Sequence, residues 1–355
     1  MTSFIFKEKK PILTVHDHSV SPDRRDFLRS SILGFLGSGS LARFGSAIVL
    51  GSGIASFTAC APPPKREGKK LVCTSFFLLE NLAKIIAGDQ FEIRCVMPVG
   101  TDVHTWEPSP KKIMEMLQAD AFLFNGAGLE TWTGKVIPQL QKRNIPIFEA
   151  AQCVTLGGTH LCGHDHAHET HAHENCGHDH ACGAGADPHI WLSVRNVKRI
   201  LEYLAEFFIR LDPARKSKFL ANLAAGAAEC DALDAEFQAV TSRLENRKIV
   251  VTHGAFWYLC RDYGLEQISL EGYSPYSDPS PAQMVKIIEF IRQNQLKVIY
   301  ATASESTKGA EAAARETGVR LAILHPLGTL SQAQIDSGAD YFSVMRENLK
   351  ALEND

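Results

Sequence analysis

Short apolar runs alternate with segments of helical period, and this happens in two separate series along the chain. The first series has strand-like runs at 70–75, 91–97, 121–124 and 145–148. Helical spacing appears between them at 77–87, 110–118 and 132–143, punctuated by Gly88, Pro98 and Asn125-Gly126. The second series has runs at 248–251, 267–270, 298–301 and 319–324, with helical segments at 256–263, 282–293 and 307–317 and a terminal one at 341–352. Alternation of this kind predicts parallel sheets covered by helices on both faces. Between the series, a helix is predicted over 194–211, and Asp212-Pro213 restarts a second one with an N-cap residue and Pro at the first helical position. From 214 to 244 there is no Pro and a single glycine, Gly226. About thirty helical residues at 1.5 Å rise span about 45 Å, enough to run along two small lobes; the other reading is two shorter helices broken near Gly226. The expected fold is α/β, with an N-terminal lobe at 69–212, a long rigid connecting helix at 213–245 and a C-terminal lobe at 246–355.

Four histidines stand where this pattern changes from apolar run to loop. They are His104, His189, His253 and His325, each close to Pro or Gly. The ends of strands and the loops beyond them are where α/β proteins place ligands. A neutral imidazole is a common Zn²⁺ ligand, and four nitrogens close a tetrahedral shell. One histidine in such a place is ordinarily just a hydrogen-bonding loop residue. The set of four predicts one transition-metal site in the cleft between the lobes. A closed shell has no position for the activated water of a catalytic zinc, so a binding protein is expected and an enzyme is not. His-Glu-x-x-His, Gly-x-Ser-x-Gly and phosphate-cradling motifs are all missing from the sequence.

The N-terminal region has the composition of an export signal. Residues 1–22 are polar; Asp23-Arg-Arg-Asp-Phe-Leu-Arg29 follows, then an apolar Gly/Ser-rich stretch to Ala59. Arg43 and the glycines between Gly34 and Gly53 make that stretch a poor permanent membrane span. Arg24-Arg25-Asp26-Phe27-Leu28-Arg29 resembles a twin-arginine signal. Phe57-Thr58-Ala59-Cys60 resembles a lipobox, with Phe57 where Leu is usual. The resemblance implies cleavage after residue 59, acylation of Cys60, and a Pro-rich tether at 60–68. The formal net charge of −3, with acids and bases interspersed, leaves no basic stripe for nucleic acid. Nine cysteines, an odd number, leave at least one outside any disulfide, and the pairing of the others stays open.

Residues 160–183 are of low complexity. They hold His160, His164, His166, His168, His171, His173, His178 and His180, interleaved with Cys162, Cys176 and Cys182. Nothing here can build a core, so a loop is expected, offering weak, exchanging sites to soft or borderline metals.

The motifs Pro98-Val-Gly-Thr-Asp-Val-His104 with Glu107-Pro-Ser-Pro110, Asp187-Pro-His-Ile-Trp-Leu192, Val251-Thr-His-Gly-Ala-Phe-Trp-Tyr258 with Tyr263-Gly-Leu265, and Leu324-His-Pro-Leu-Gly328 carry a family likeness. From about residue 69 onward the chain resembles the metal-binding solute-binding lipoproteins of bacterial ABC importers for zinc, manganese or iron. The resemblance implies ligand positions at 104, 189, 253 and 325, the last of which is normally Asp and here is His325. An oxygen replaced by nitrogen favours Zn²⁺ over Mn²⁺ or Fe. The loop of histidines resembles that of the zinc-specific members. The resemblance further implies an extracytoplasmic, lipid-anchored protein that hands its ion to an inner-membrane permease driven by a cytoplasmic ATPase; a monomer is expected. Two other classes remain: a metallohydrolase with Glu107 or Asp187 as general base, and a surface adhesin or metal store. Deleting 160–183 should leave one tight zinc site per chain in a titration; loss of all tight binding would contradict the histidine assignment.

Overall fold

The computed structural model describes residues 68–158, 185–270, 279–303 and 307–353. The export signal, Cys60, most of the tether and the loop histidines lie outside them. The first sheet is built from β1 (Leu71–Thr74), α1 (Phe77–Ala87), β2 (Glu92–Cys95), α2 (Pro110–Met116), β3 (Ala121–Phe124), α3 (Thr133–Lys142) and β4 (Ile147–Glu149). Two helices follow, α4 (Val194–Leu211) and α5 (Lys216–Thr241). The second sheet uses β5 (Lys248–Val251), α6 (Trp257–Tyr263), β6 (Glu266–Ser269), α7 (Pro281–Gln293), β7 (Val298–Thr302), α8 (Lys308–Thr317) and β8 (Arg320–Leu324). The chain then forms α9 (Gln332–Asp336) and α10 (Tyr341–Glu353). All strand pairs are parallel, in the orders β2-β1-β3-β4 and β6-β5-β7-β8. Each order reverses beside its first strand, which opens a crevice at the strand ends between β1 and β3 and between β5 and β7.

The strands read as unbroken apolar runs because both faces are covered. Successive side chains point to opposite faces. Val72, Leu123, Val251 and Tyr300 therefore enter one continuous core, together with Leu201, Phe208, Phe219, Leu233 and Phe237 of α4 and α5. Their neighbours Cys73, Phe122 and Phe124 face Met116, Trp132 and Val136 on the outside of the first sheet. Val250, Ile299 and Ala301 do the same against Ile287, Ile291 and Ala313 on the second.

Helix α5 is unbroken at Gly226, so the single-helix expectation holds within a few residues; its 26 residues span about 39 Å. At one end Phe219 meets Phe91 and Phe208, and at the other Phe237 stacks on Tyr263 of α6, with ring centroids 5.0 Å apart. Asp234 accepts from Arg195 of α4 and from the Tyr263 hydroxyl, which ties three helices together. Among the described residues, no helix is long and apolar enough to cross a membrane.

Gly226 is in α5 because nothing larger fits. A Cβ there would lie 2.9 Å from Ile85 Cγ2 and 3.2 Å from a Leu201 methyl. Ile85 is branched at Cβ and cannot swing clear, so the overpacking outweighs the gain in helix propensity. Gly226→Val should lower unfolding free energy by about 1–3 kcal/mol in urea titration; equal or greater stability would refute this packing argument.

Candidate metal centre

His253 is delivered directly by β5, a strand at the reversal point. Thr252 fixes the exit, its amide donating to Tyr300 O at 3.0 Å and its hydroxyl lying 3.3 Å from that of Thr302. His104 comes from the loop after β2. The Asp102 carboxylate accepts from the His104 amide at 3.0 Å, and the Trp106 amide closes back on Asp102 O at 3.1 Å. This is the local turn that Asp two residues ahead encourages.

His189 is held most tightly. Asp187 Oδ1 accepts from both the His189 amide and Nδ1, each at 2.8 Å, and both residues are 1% exposed. A carboxylate only accepts, so the proton is on Nδ1 and the Nε2 lone pair faces the site. Asn125 Nδ2 donates to Pro188 O at 3.0 Å. Its own amide rests on Glu130, which also accepts from Ser75 Oγ and the Gly126 amide. Burial pushes the Glu130 carboxyl above its ordinary range, and these donors work in the opposite sense.

The three rings converge. His104 Nε2 is 3.2 Å and His253 Nε2 3.4 Å from His189 Nε2, and ligand atoms of all three lie within 4.8 Å of one another. Two nitrogens each 2.0–2.1 Å from a tetrahedral zinc stand about 3.3 Å apart. The observed spacings therefore match what a shared cation requires. Among the other described donors, Cys95, Cys153, Cys230 and Cys260 are free thiols that burial pushes up to about 12, so they do not compete as thiolates.

Of the four histidines expected to converge, His325 is placed differently from the other three. It follows β8 and is buried, but it stands outside the group of three. Its backbone is bracketed by the Asn348 side chain, which accepts from His325 N at 2.7 Å and donates to His325 O at 2.9 Å. Its Nδ1 accepts from the Leu327 amide at 3.0 Å. The ring is thus spent on its own turn. Several contributors escaped the sequence reading: Asp187 and Asn125 as supports, and Tyr258, whose hydroxyl donates to Asp187 O at 2.8 Å and accepts from the Gly157 amide. The Asp-x-His spacing was the available signal for Asp187. Nothing local pointed to Asn125 or Tyr258, whose partners are distant in sequence.

A family model described as zinc-uptake complex component A, periplasmic (ZnuA), matches residues 72–355. The chain belongs to this family. It is 32% identical over 298 residues to the zinc-binding lipoprotein AdcA of Streptococcus pneumoniae serotype 4, covering 83% of this chain and 57% of that protein. The chain thus spans little more than half the length of that relative. It is 30% identical over 289 residues to the high-affinity zinc uptake system protein ZnuA of Bacillus subtilis, covering 81% of this chain and 88% of the other. The crystal structure of the Zn(II)-bound ZnuA-like domain of S. pneumoniae AdcA superposes with a TM-score of 0.69 at 29% identity, covering 81% of this chain and 98% of that one. Two parallel sheets with flanking helices are thus the architecture of ZnuA-like proteins.

Burial pushes the His325 imidazole down from 6.5 to about 4, with the Gln334 side chain acting in the opposite sense. The folded ring therefore resists a proton that the unfolded chain accepts near 6.5. Its contribution is intact above that pH and is lost on acidification towards 4, by roughly 3 kcal/mol in all. Chelator-treated protein should lose stability between pH 6.5 and 4, and His325→Asn should flatten that slope. A variant with the wild-type slope would contradict the assignment.

Proposed function

We propose that the chain is an extracytoplasmic binding protein that captures one divalent transition-metal ion, Zn²⁺, between its lobes and delivers it to an ABC permease. The Nε2 atoms of His104, His189 and His253 are the ligands. The observation that carries this reading is their 3.2 and 3.4 Å spacing around a point bordered by both lobes. Imidazole donors suit zinc and other late first-row ions better than Mn²⁺, which prefers oxygen. The names of the relatives, zinc-binding lipoprotein and zinc uptake protein, support the same ion.

Segments 1–59 and 60–68 serve as export signal and tether, with Cys60 acylated, holding a monomer at the outer side of the cytoplasmic membrane near the permease and its ATPase. The lobes run from 69 to 212 and from 246 to 355, with the connecting helix between. The histidines of 160–183 supply weaker auxiliary sites. Three histidine ligands leave a fourth position open, so a closed shell no longer argues against catalysis, and the carrier reading rests on the family likeness and on the placement of the nearby carboxylates. Glu107 is exposed outside the ligand group, and Asp187 Oδ1 is engaged by His189, so neither is placed as a general base.

Full-length protein purified without added metal should contain zinc by elemental analysis. In chelator competition, His104→Ala and His253→Ala should each weaken zinc binding by at least about 100-fold, and Asp187→Ala by about 10–100-fold through His189. Wild-type affinity in both histidine variants would overturn the site.

A further inference from the structure

We propose that His325 is a positioning residue that latches the second lobe onto the ligand-bearing segments of the first, and that it is not itself a ligand. This rests on the three-imidazole site above. A backbone N–H only donates, so the bond from Leu327 N at 3.0 Å requires a lone pair on His325 Nδ1. In the neutral ring the hydrogen then sits on Nε2, and a nitrogen carrying hydrogen does not coordinate. His189 is the opposite case, because its Nδ1 faces the acceptor Asp187.

The same bond shapes the turn. Leu327 has φ of +60°, a left-handed conformation that a leucine rarely adopts, and its side chain is fully buried. A side-chain acceptor reaching the amide two residues on is the bond that Asn and Asp make in Asx-turns. His325 supplies it with a ring nitrogen. The turn so formed presents three groups to the first lobe. Pro326 O accepts from Trp191 Nε1 at 2.7 Å, and Thr329 Oγ1 accepts from the Gly100 amide at 3.0 Å. Gly328 sits so close to Val103 that a Cβ would lie 3.2 Å from its Cγ1. Val103 adjoins His104, and Trp191 is two residues from His189, with its ring edge-on to that imidazole at 5.3 Å. The latch therefore bears on two of the three ligand segments.

The test uses the full chain, zinc affinity by chelator competition, and the visible absorption of the Co²⁺-loaded protein as a report of the donor set. His325→Asn keeps an acceptor for Leu327 and should bind zinc within about 3-fold of wild type, with an unchanged Co²⁺ band. His325→Ala removes the acceptor and should weaken zinc by about 10–100-fold, again with the Co²⁺ band unchanged. A shifted Co²⁺ band in His325→Asn, or a loss as large as that of His104→Ala, would make His325 a ligand and overturn the proposal. Wild-type affinity in His325→Ala would overturn the latch. An unchanged Co²⁺ band and affinity in His104→Ala would instead remove the three-imidazole reading, and with it the proposal's foundation.

Discussion

The hydrogen bond from His189 Nδ1 to Asp187 decides what the cleft can hold. It fixes which nitrogen bears the proton, and so turns a lone pair towards His104 and His253. Without an ion, a hydrogen on His104 or His253 Nε2 can be donated to that lone pair; a cation at the centre would take its place, and a stiff frame holds the three rings at the required range. Asp187 is nearly sealed from solvent and is itself anchored through its carbonyl to Tyr258 of the second lobe. The support of one ligand is therefore already a contact between lobes.

The frame follows from burying both faces of two parallel sheets. Alternate residues of each strand feed a common core, and that core runs without interruption from Val72 through Phe219 and Phe237 to Tyr300. Because α5 touches aromatic groups of both halves, a wide hinge motion would have to unpack it. Gly226 lets α5 approach α1 and α4 closely, and Asp234 ties it to α4 and α6.

Much of this was legible in the sequence. The range of α4, the continuity of α5 and the eight strands followed from apolar period and from Gly and Pro punctuation. The convergence of His104, His189 and His253 is signalled by their positions at the ends of apolar runs. His325 shares that position and carries the same sequence signal. What separates it is the direction of one backbone N–H, which depends on Leu327 adopting a positive φ that a leucine gives no reason to expect. Helix α9 was missed because Gln332–Asp336 has no apolar stripe; the reciprocal cap between Ser331 and Gln334 sustains it. Asn125 and Tyr258 act on partners 63 and 71 residues away, and no local pattern encodes such pairs.

The claim on which the account turns is that imidazoles from both halves of the chain surround one ion. X-ray absorption at the zinc edge on the stoichiometrically loaded protein tests it directly. The account predicts a first shell of nitrogen and oxygen at about 2.0–2.1 Å with outer-shell scattering from three imidazoles. A shell containing sulfur near about 2.3 Å, or one with a single imidazole, would contradict it.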